Sequence, residues 1–255
     1  MSVLDDVFLM DIIRRGASVV CRVDINSPLD EHGNIRDTTR FERHRDTLMR
    51  LVDDECRIVI LAHQGRRGSR DFTGLEKHSI VMSEVLGIDV KFVPDVVGEK
   101  AIEAIKGLRH GEVLLLDNVR FVDDECISRP IEEHANSLIV KRLKKFFDYF
   151  VLDGFAVSHR YHASVVGFST VVPSAMGLLM EKEVRTLSEF VAKSRGSVVI
   201  LGGAKVNDAT KYIEKLIKSR RVKKILLTGL VALIFHIANG LSISRRIKGD
   251  IARKF

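Results

Sequence analysis

The fold is decided by a pattern that is clearest at residues 113–120, which read VLLLDNVR. Four apolar residues are followed at once by an Asp-Asn pair and then by an arginine. The same design occurs at residues 18–26, SVVCRVDIN, and at residues 57–66, RIVILAHQGR. Short apolar, β-branched runs of this kind are typical of strands that are buried on both faces of a parallel sheet.

Apolar strand patterns alternate with helical patterns along the chain, and this alternation predicts an α/β fold. The predicted strands lie at 18–23, 57–61, 90–93, 113–116, 149–152, 198–201 and 225–227. The predicted helices lie near 38–52, 74–86, 98–106, 131–146, 174–193, 207–218 and 230–239. We expect a Rossmann-like parallel sheet in an N-terminal domain at 1–172, a linker helix at 173–193 and an incomplete second α/β domain at 194–255.

Two of the predicted helix starts carry their own signals. Thr73 followed by Glu76 three residues later fits a capping box, in which each side chain binds the backbone N–H of the other residue. Pro173 suits the first turn of a helix, and apolar residues then recur at spacings of three and four. We favour one long helix between two lobes, and an ordinary core helix within one domain is the alternative.

Composition and charge exclude several classes of protein. The chain has 255 residues, of which 45% are hydrophobic, so a disordered chain is excluded. Its formal net charge of +7 is concentrated in residues 218–255, which hold ten Lys and Arg and one acidic residue. The rest of the chain is close to neutral, which argues against a DNA-binding domain, because such a domain needs a basic stripe on a folded face.

The three cysteines, Cys21, Cys56 and Cys126, are odd in number and widely spaced. We therefore expect reduced, mostly buried thiols in a cytoplasmic protein.

Residues 225–244, ILLTGLVALIFHIANGLSIS, contain no Lys, Arg, Asp or Glu and have the length of a membrane span. Thr228 and Gly229 interrupt the run, and side chains such as His236 and Asn239 are rare and costly inside membranes. A buried strand, a glycine turn and a buried helix would give the same pattern. We favour that interpretation and expect no membrane partner.

Polar residues follow six of the predicted strands, at the carboxyl ends where open parallel sheets bind ligands. Among them are Asp24, Asn26, His63, Gln64, Gly65, Arg66, Arg120, Asp153, His159, Arg160, His162, Gly202, Gly203, Lys205, Thr228 and Gly229. Each has an ordinary interpretation when it is taken alone, as a turn former, a core histidine, a surface ion-pair arginine or half of a phosphate loop. Together they favour a small anion, because a guanidinium binds phosphate through two parallel hydrogen bonds. We predict a small phosphorylated hydroxy acid in the N-terminal lobe and no metal site.

Six segments carry a resemblance to a known family: RVDINSPLD (22–30), HQGR (63–66), LLLDNVRF (114–121), SHRYHASVVGF (158–168), GLLMEKEV (177–184) and LGGAKVND (201–208). In this order they resemble phosphoglycerate kinase, and HQGR resembles its archaeal branch in particular. The resemblance implies reversible phosphoryl transfer between 1,3-bisphosphoglycerate and ADP, which gives 3-phosphoglycerate and ATP in glycolysis and gluconeogenesis. It also implies glycerate binding in the N-terminal lobe and binding of ATP or ADP with Mg²⁺ in the C-terminal lobe.

The resemblance, carried over residue by residue, implies three overlapping sets of site residues. The glycerate pocket would contain Asp24, Ile25, Asn26, Arg40, His63, Gln64, Gly65, Arg66, Arg120 and Arg160. Arg40 and Lys205 would act on the transferring phosphoryl group, where fixed positive charge stabilises the transition state. The nucleotide would contact Gly202, Gly203, Lys205, Asp208, Thr228 and Gly229.

Three departures from the family pattern qualify these expectations. Ala209 stands where many members have a second lysine, and the pair Thr228-Gly229 is one glycine shorter than the usual run. The sequence also stops at Phe255, before the family's late glycine-rich motif, so we expect a chain truncated in its nucleotide domain, without most Mg²⁺ ligands. One alternative is a truncated protein that binds 3-phosphoglycerate but transfers nothing. Another is an RNA- or membrane-associated fragment driven by residues 218–255, although we expect no nucleic-acid partner.

Overall fold

The computed structural model describes residues 10–203, 206–240, 242 and 244. Strands and helices alternate along these residues, which confirms the predicted α/β class. The strands are β1 Ser18–Arg22, β2 Arg57–Leu61, β3 Val90–Val93, β4 Val113–Leu116, β5 Tyr149–Leu152, β6 Ser174–Met176, β7 Ser197–Leu201 and β8 Val222–Leu227. The α-helices are α1 Thr39–Asp53, α2 Glu76–Leu86, α3 Glu99–Lys106, α4 Leu138–Leu143, α5 Leu178–Lys193, α6 Val206–Ser219 and α7 Gly229–Ala238.

The first six strands form one parallel sheet in the order β3-β4-β2-β1-β5-β6. Alternate residues of β1 enter different cores: Val19 and Cys21 pack with residues of α1 and α2, whereas Val20 packs with residues of α3 and α4. The sheet is therefore covered on both faces, as its nearly all-apolar strands predict. Since every strand runs in the same direction, the loops that follow the strands collect at one edge, which we call the carboxyl edge.

The predicted start of the linker helix is wrong. Residues Ser174–Met176 form β6, which pairs with β5 beyond the domain boundary that we predicted at residue 172, and α5 begins at Leu178. Pro173 is compatible with this edge position, because its carbonyl accepts the N–H of Phe150 at 3.0 Å and no donor is required of it. The Asp153 carboxylate accepts the N–H groups of Leu179 and Met180, at 3.0 and 3.2 Å, and so satisfies the first turn of α5.

Two further local predictions are corrected. Helix α2 begins at Glu76 without a side-chain cap from Thr73, and the N–H of Leu75 instead donates to the Asp117 carboxylate at 2.9 Å. The predicted helix 131–146 is divided into a 3₁₀-helix at Ile131–Asn136, the short α4 and a 3₁₀ turn at Lys144–Phe146. Ser137 interrupts it with extended backbone, and its hydroxyl donates to the His134 carbonyl at 2.7 Å, which competes with a helical hydrogen bond.

The chain divides into two compact units, Met1–Thr186 and Leu187–Phe255. In the second unit, β7 and β8 pair in parallel. Val206, Ala209 and Ile213 of α6 pack with Val231 of α7 in the unit's core cluster. Large apolar side chains of both strands are exposed, among them Ile200 and Leu226.

The strand, turn and helix order predicted for residues 225–244 is confirmed in its described part, but the predicted burial is wrong. Leu226 of the strand is exposed, and Val231 is the one buried residue of α7. The run contains the end of β8, the residue Thr228 and the ten-residue helix α7. Among the residues that the structure describes, no helix has both the length and the apolar character needed to cross a membrane.

Candidate functional site

Three arginines from separate strand-end loops line one cavity of about 530 Å³ at the carboxyl edge. Arg66 follows β2, Arg120 follows β4 and Arg160 follows β5. None of the three forms an ion pair with any residue of the described chain, whereas the neighbouring Arg67 is paired with Asp123 at 2.9 Å. We call this space the cationic cavity; its unpaired guanidinium groups suit an anion such as a phosphate.

The peptide of Gly65 connects this cavity to the loop after β1. The Arg120 guanidinium donates to the Gly65 carbonyl, and the Gly65 N–H donates to the Asn26 side-chain oxygen at 2.8 Å. Gly65 has a φ of 65°, and a Cβ atom there would lie 2.5 Å from the Asp71 carbonyl oxygen. Glycine is therefore required at this position both by the backbone conformation and by the space available.

A buried polar network that the sequence analysis did not predict lies beside these residues. Arg22, only 1% exposed, donates from Nε to the Ser164 hydroxyl at 2.9 Å, and its Nη2 lies 3.1 Å from Nδ1 of His63. The Ser164 hydroxyl and N–H donate to the completely buried Glu125 carboxylate at 2.6 and 2.8 Å. The one sequence signal for this network is an arginine within an otherwise apolar strand, since a charged residue is rarely buried without partners.

Electrostatics places the positive charge of the cavity on its guanidinium groups. Burial lowers the pKa of His63 far below its usual value, and the charges of Arg22 and Arg120 lower it further. Burial, followed by the charges of the nearby arginines, lowers the pKa of His162, which also lines the cavity, to about 4. Both imidazoles are therefore neutral near pH 7, and His63 can act only as a neutral hydrogen-bonding group.

The cysteines correspond only in part to the prediction of buried thiols. Cys21 and Cys56 are buried, whereas Cys126 is exposed and lines the cationic cavity. All three are free, and partial burial raises the pKa of the Cys126 thiol, which favours its protonated form.

Arg40 lies in a different cavity from Arg66, Arg120 and Arg160. This second space, of about 320 Å³, is also lined by Asp24, whose buried carboxylate is paired with the Arg40 guanidinium. The structure therefore brings the two predicted residues Asp24 and Arg40 together, but it does not place them in the cationic cavity.

A buried histidine holds the backbone of Asp24 in place. The Asp24 N–H donates to Nε2 of His44 at 3.0 Å, and Nδ1 of His44 lies 2.7 Å from the Asp153 carboxylate. Because Asp153 also binds the first turn of α5, one buried chain of hydrogen bonds joins the loop after β1 to that helix. His44 was not among the predicted site residues.

Two other predicted site residues have no side chain free for a ligand. Ile25 is completely buried in the core between the sheet and α1. The Gln64 side chain binds the backbone N–H and carbonyl of Ser27, both at 3.0 Å, and lies 3.0 Å from Nε2 of His78. The Gln64 contacts join the loops after β1 and β2, so Gln64 positions the site, whereas Ile25 anchors its loop in the core.

The glycines predicted to contact nucleotide lie at the ends of β7 and β8. A Cβ atom on Gly202 would lie 2.2 Å from the Thr228 hydroxyl, so the two loops touch. Gly203 has a φ of 112° and no described atom close to its Cβ position, and Gly229 has a φ of 58°. Such open glycine backbone can approach a phosphate closely.

The remaining members of that set are Lys205, which lies outside the described residues, and Asp208, which is exposed in the first turn of α6. Asp208 has the oxygen chemistry that Mg²⁺ prefers when the ion is also bound by substrate phosphates. The described part of the chain contains no group of three or more His, Cys, Asp or Glu that could hold a metal ion by itself.

Comparison with known proteins identifies the family. A family model described as phosphoglycerate kinase matches residues 9–253. The phosphoglycerate kinase of Saccharolobus solfataricus is 42% identical over 235 residues, which cover 92% of this chain and 58% of the relative. That of Archaeoglobus fulgidus is 42% identical over 246 residues, which cover 96% of this chain and 58% of the relative. The chain thus spans 58% of the length of these curated relatives.

Solved structures show the same likeness. The crystal structure of phosphoglycerate kinase from Pyrococcus horikoshii OT3 matches with a TM-score of 0.89 and 37% identity, covering 97% of this chain and 63% of that one. The structure of phosphoglycerate kinase from Coxiella burnetii matches with a TM-score of 0.75 and 27% identity, covering 94% of this chain and 59% of that one. With a family model across nearly its whole length and relatives above 40% identity, the chain belongs to the phosphoglycerate kinase family.

Proposed function

We propose that this chain binds 3-phosphoglycerate and takes part in reversible phosphoryl transfer between 1,3-bisphosphoglycerate and ADP in the cytoplasm. The observation that carries the proposal is the cationic cavity, in which Arg66, Arg120 and Arg160 have no ion-pair partner among the described residues. A cavity with unpaired guanidinium groups and neutral imidazoles suits a compact phosphate better than a long acidic polymer. Family membership supports the same assignment.

We assign different parts of the glycerate to different groups. The three guanidinium groups of the cationic cavity would bind the phosphate at C3. Asn26, fixed by its hydrogen bond to the Gly65 N–H, and Asp24, fixed by His44, would contact the hydroxyl and carboxyl end. The Arg22, Ser164 and Glu125 network would hold His63 in its place beside the arginines.

Transfer would move the phosphoryl group of the acyl phosphate to the terminal phosphate oxygen of ADP and leave the glycerate carboxylate. Arg40 would stabilise the charge on the transferring group, and its pairing with Asp24 keeps the guanidinium oriented. We propose a similar role for Lys205, with Gly202, Gly203, Thr228 and Gly229 beside the nucleotide phosphates. A bound Mg²⁺ would neutralise phosphate charge on the nucleotide, and Asp208 is our candidate for a ligand.

Calorimetric titration with 3-phosphoglycerate tests the binding step. Arg160→Ala should weaken binding by about 1.5–3 kcal/mol, or roughly tenfold to a hundredfold, because it removes hydrogen bonds to a charged group. Arg142→Ala is the matched control, since Arg142 is paired with Glu99 and lies outside the cavity. Unchanged affinity in a folded Arg160→Ala protein would remove the cationic cavity from the substrate site.

A coupled assay of ATP consumption that depends on 3-phosphoglycerate tests transfer. Turnover of roughly 1–100 per second is usual for kinases. Binding of 3-phosphoglycerate with no turnover would instead identify the alternative function, a binding protein that does not transfer the phosphoryl group.

A further inference from the structure

Another cavity, of about 400 Å³, lies at the opposite edge of the first sheet. It is lined by Ser18 and Arg57, the first residues of β1 and β2, by Lys106 at the end of α3, and by Lys145 in the 3₁₀ turn before β5. We call it the amino-edge cavity. A strand of five residues rises about 3.3 Å per residue, so roughly 15 Å of buried sheet separates this edge from the carboxyl edge.

The charges around the amino-edge cavity are unbalanced. Arg57, Lys106 and Lys145 line it, and none of them has an ion-pair partner within the described part of the chain. The single carboxylate among the lining residues belongs to Asp148, and one of its oxygens accepts the N–H of Ser18 at 2.9 Å. The lining therefore has an excess of positive charge, since three cations without an ion-pair partner among the described residues face one carboxylate.

One of these cations is also incompletely satisfied. Nε of Arg57 is shielded from solvent and has no hydrogen-bond acceptor among the described residues. The backbone of Arg57 is fixed independently, since its N–H donates to the Ala17 carbonyl at 2.9 Å and the residue pairs with Ser18 in the sheet. A buried donor without an acceptor is uncommon in folded proteins, and it shows that no partner within the described chain holds this part of the Arg57 side chain.

The other residues around the cavity are apolar, but most of them show it little surface. Val59, Ile105, Leu108 and Phe147 are each at least nine-tenths buried, so the half-buried Phe146 is the apolar side chain that a ligand can reach. The ring of Phe146 lies below Lys145, whose ammonium nitrogen is 5.1 Å from the ring centre. A ligand that fits this lining has an anionic group and a compact apolar part that packs against Phe146.

We propose that the amino-edge cavity binds a small organic anion, namely a carboxylate or phosphate monoester attached to a compact apolar body. Arg57 and the two lysines contact the anionic group, and Phe146 contacts the body of the ligand. This site is separate from the cationic cavity, so it holds its ligand whether or not the carboxyl edge is occupied.

Phenyl phosphate is a suitable probe, titrated calorimetrically into the full chain carrying Arg160→Ala to weaken the cationic cavity. In that background, Lys106→Gln with Lys145→Gln should weaken binding about tenfold or more, because two charged contacts are removed. Lys141→Gln with Lys144→Gln is the matched control and should leave the affinity within about twofold, since these exposed lysines do not line the cavity. Inorganic phosphate, which lacks the apolar body, should bind more weakly than phenyl phosphate.

Arg57→Met provides a second variant, checked for folding by circular dichroism, and should also weaken binding about tenfold or more. Equal losses in the two double-lysine variants would show that only bulk charge attracts the probe and would overturn the proposal. Absence of phenyl phosphate binding in the Arg160→Ala background would overturn it as well. Neither result would affect the assignment of 3-phosphoglycerate to the carboxyl edge, which is tested by a different ligand and a different variant.

Discussion

Replacement of Glu125 by glutamine should stabilise the first unit at neutral and alkaline pH and leave it nearly unchanged in acid. Glu125 is completely buried and accepts two hydrogen bonds from Ser164. Burial raises the pKa of Glu125 from its ordinary 4.5 to about 7, although the charge of Arg22 opposes this shift. Glutamine has a similar shape and retains an oxygen that accepts hydrogen bonds, but it never ionises.

The size and sign of the effect follow from the difference between the folded and unfolded pKa values. Below pH 4.5 the carboxyl of Glu125 is protonated in both states, so its burial carries no charge penalty. As the pH rises from 4.5 to about 7, the unfolded chain loses the proton first, and the free energy of unfolding falls. The difference between the folded and unfolded pKa values corresponds to about 3 kcal/mol of unfolding free energy. Glu125→Gln should recover this amount above pH 7.

Urea unfolding between about pH 4 and pH 8.5 would measure this gain, followed by far-ultraviolet circular dichroism and by hydrogen exchange of the β1 amides. The β1 amides report on the first unit alone. Glu132→Gln is the matched control, because it removes an exposed carboxylate from the neighbouring 3₁₀-helix.

The reasoning requires a difference between the variant and the original protein that grows with pH. A constant difference across the range would show that the stability change comes from packing or hydrogen bonding and not from ionisation. A variant that is less stable than the original protein at pH 8 would show that the ionised carboxylate is a net stabilising partner of Arg22.

Two other predictions concern the same edge of the sheet. Arg160→Ala should raise the pKa of His162 from about 4 towards 6.5, because one of the positive charges that disfavour its protonation is removed. An NMR titration of the imidazole measures this, and an unchanged value would show that the Arg160 charge does not act on His162. Gly65→Ala should destabilise the protein by about 1–3 kcal/mol or more, since φ is strained and the new Cβ meets the Asp71 carbonyl. Gly68→Ala is the control for thermal unfolding, because Gly68 has a φ of 83° but open space around it, and equal losses would contradict the predicted clash.

Most of the fold could be predicted because it depends on local patterns. The strands of the first sheet that contain four or five apolar or β-branched residues were located to within one residue, as with Arg57–Leu61 and Val113–Leu116. Two of the errors, the starts of α5 and α2, occur where a partner is distant in sequence. Asp153 binds the first turn of α5, and Asp117 binds the N–H of Leu75 at the start of α2; neither partnership is visible in the local sequence.

The candidate site was predictable as a set of residue types but not as an arrangement. The rule that ligands bind at the carboxyl ends of parallel strands led to Arg66, Arg120 and Arg160, which the structure brings to one cavity. The same rule does not apply to Arg40, which follows no strand directly. It therefore could not predict that Arg40 lies with Asp24 in a different cavity from the other three arginines. The rule also could not find Glu125, because nothing in the local sequence of a polar loop shows that one of its acidic residues is buried.

The alternation of apolar strands with helices, and hence the parallel sheet, can be read directly from the chain's residue pattern, as can the polar residues at the strand ends by which the family is recognised. Which cations are paired and which groups carry charge depends instead on the folded arrangement. Arg67 is neutralised by Asp123 while its neighbour Arg66 is not, and His63 stays neutral because it is buried beside Arg22. These properties depend on burial and on short distances between segments that are far apart along the chain, and folding alone creates both.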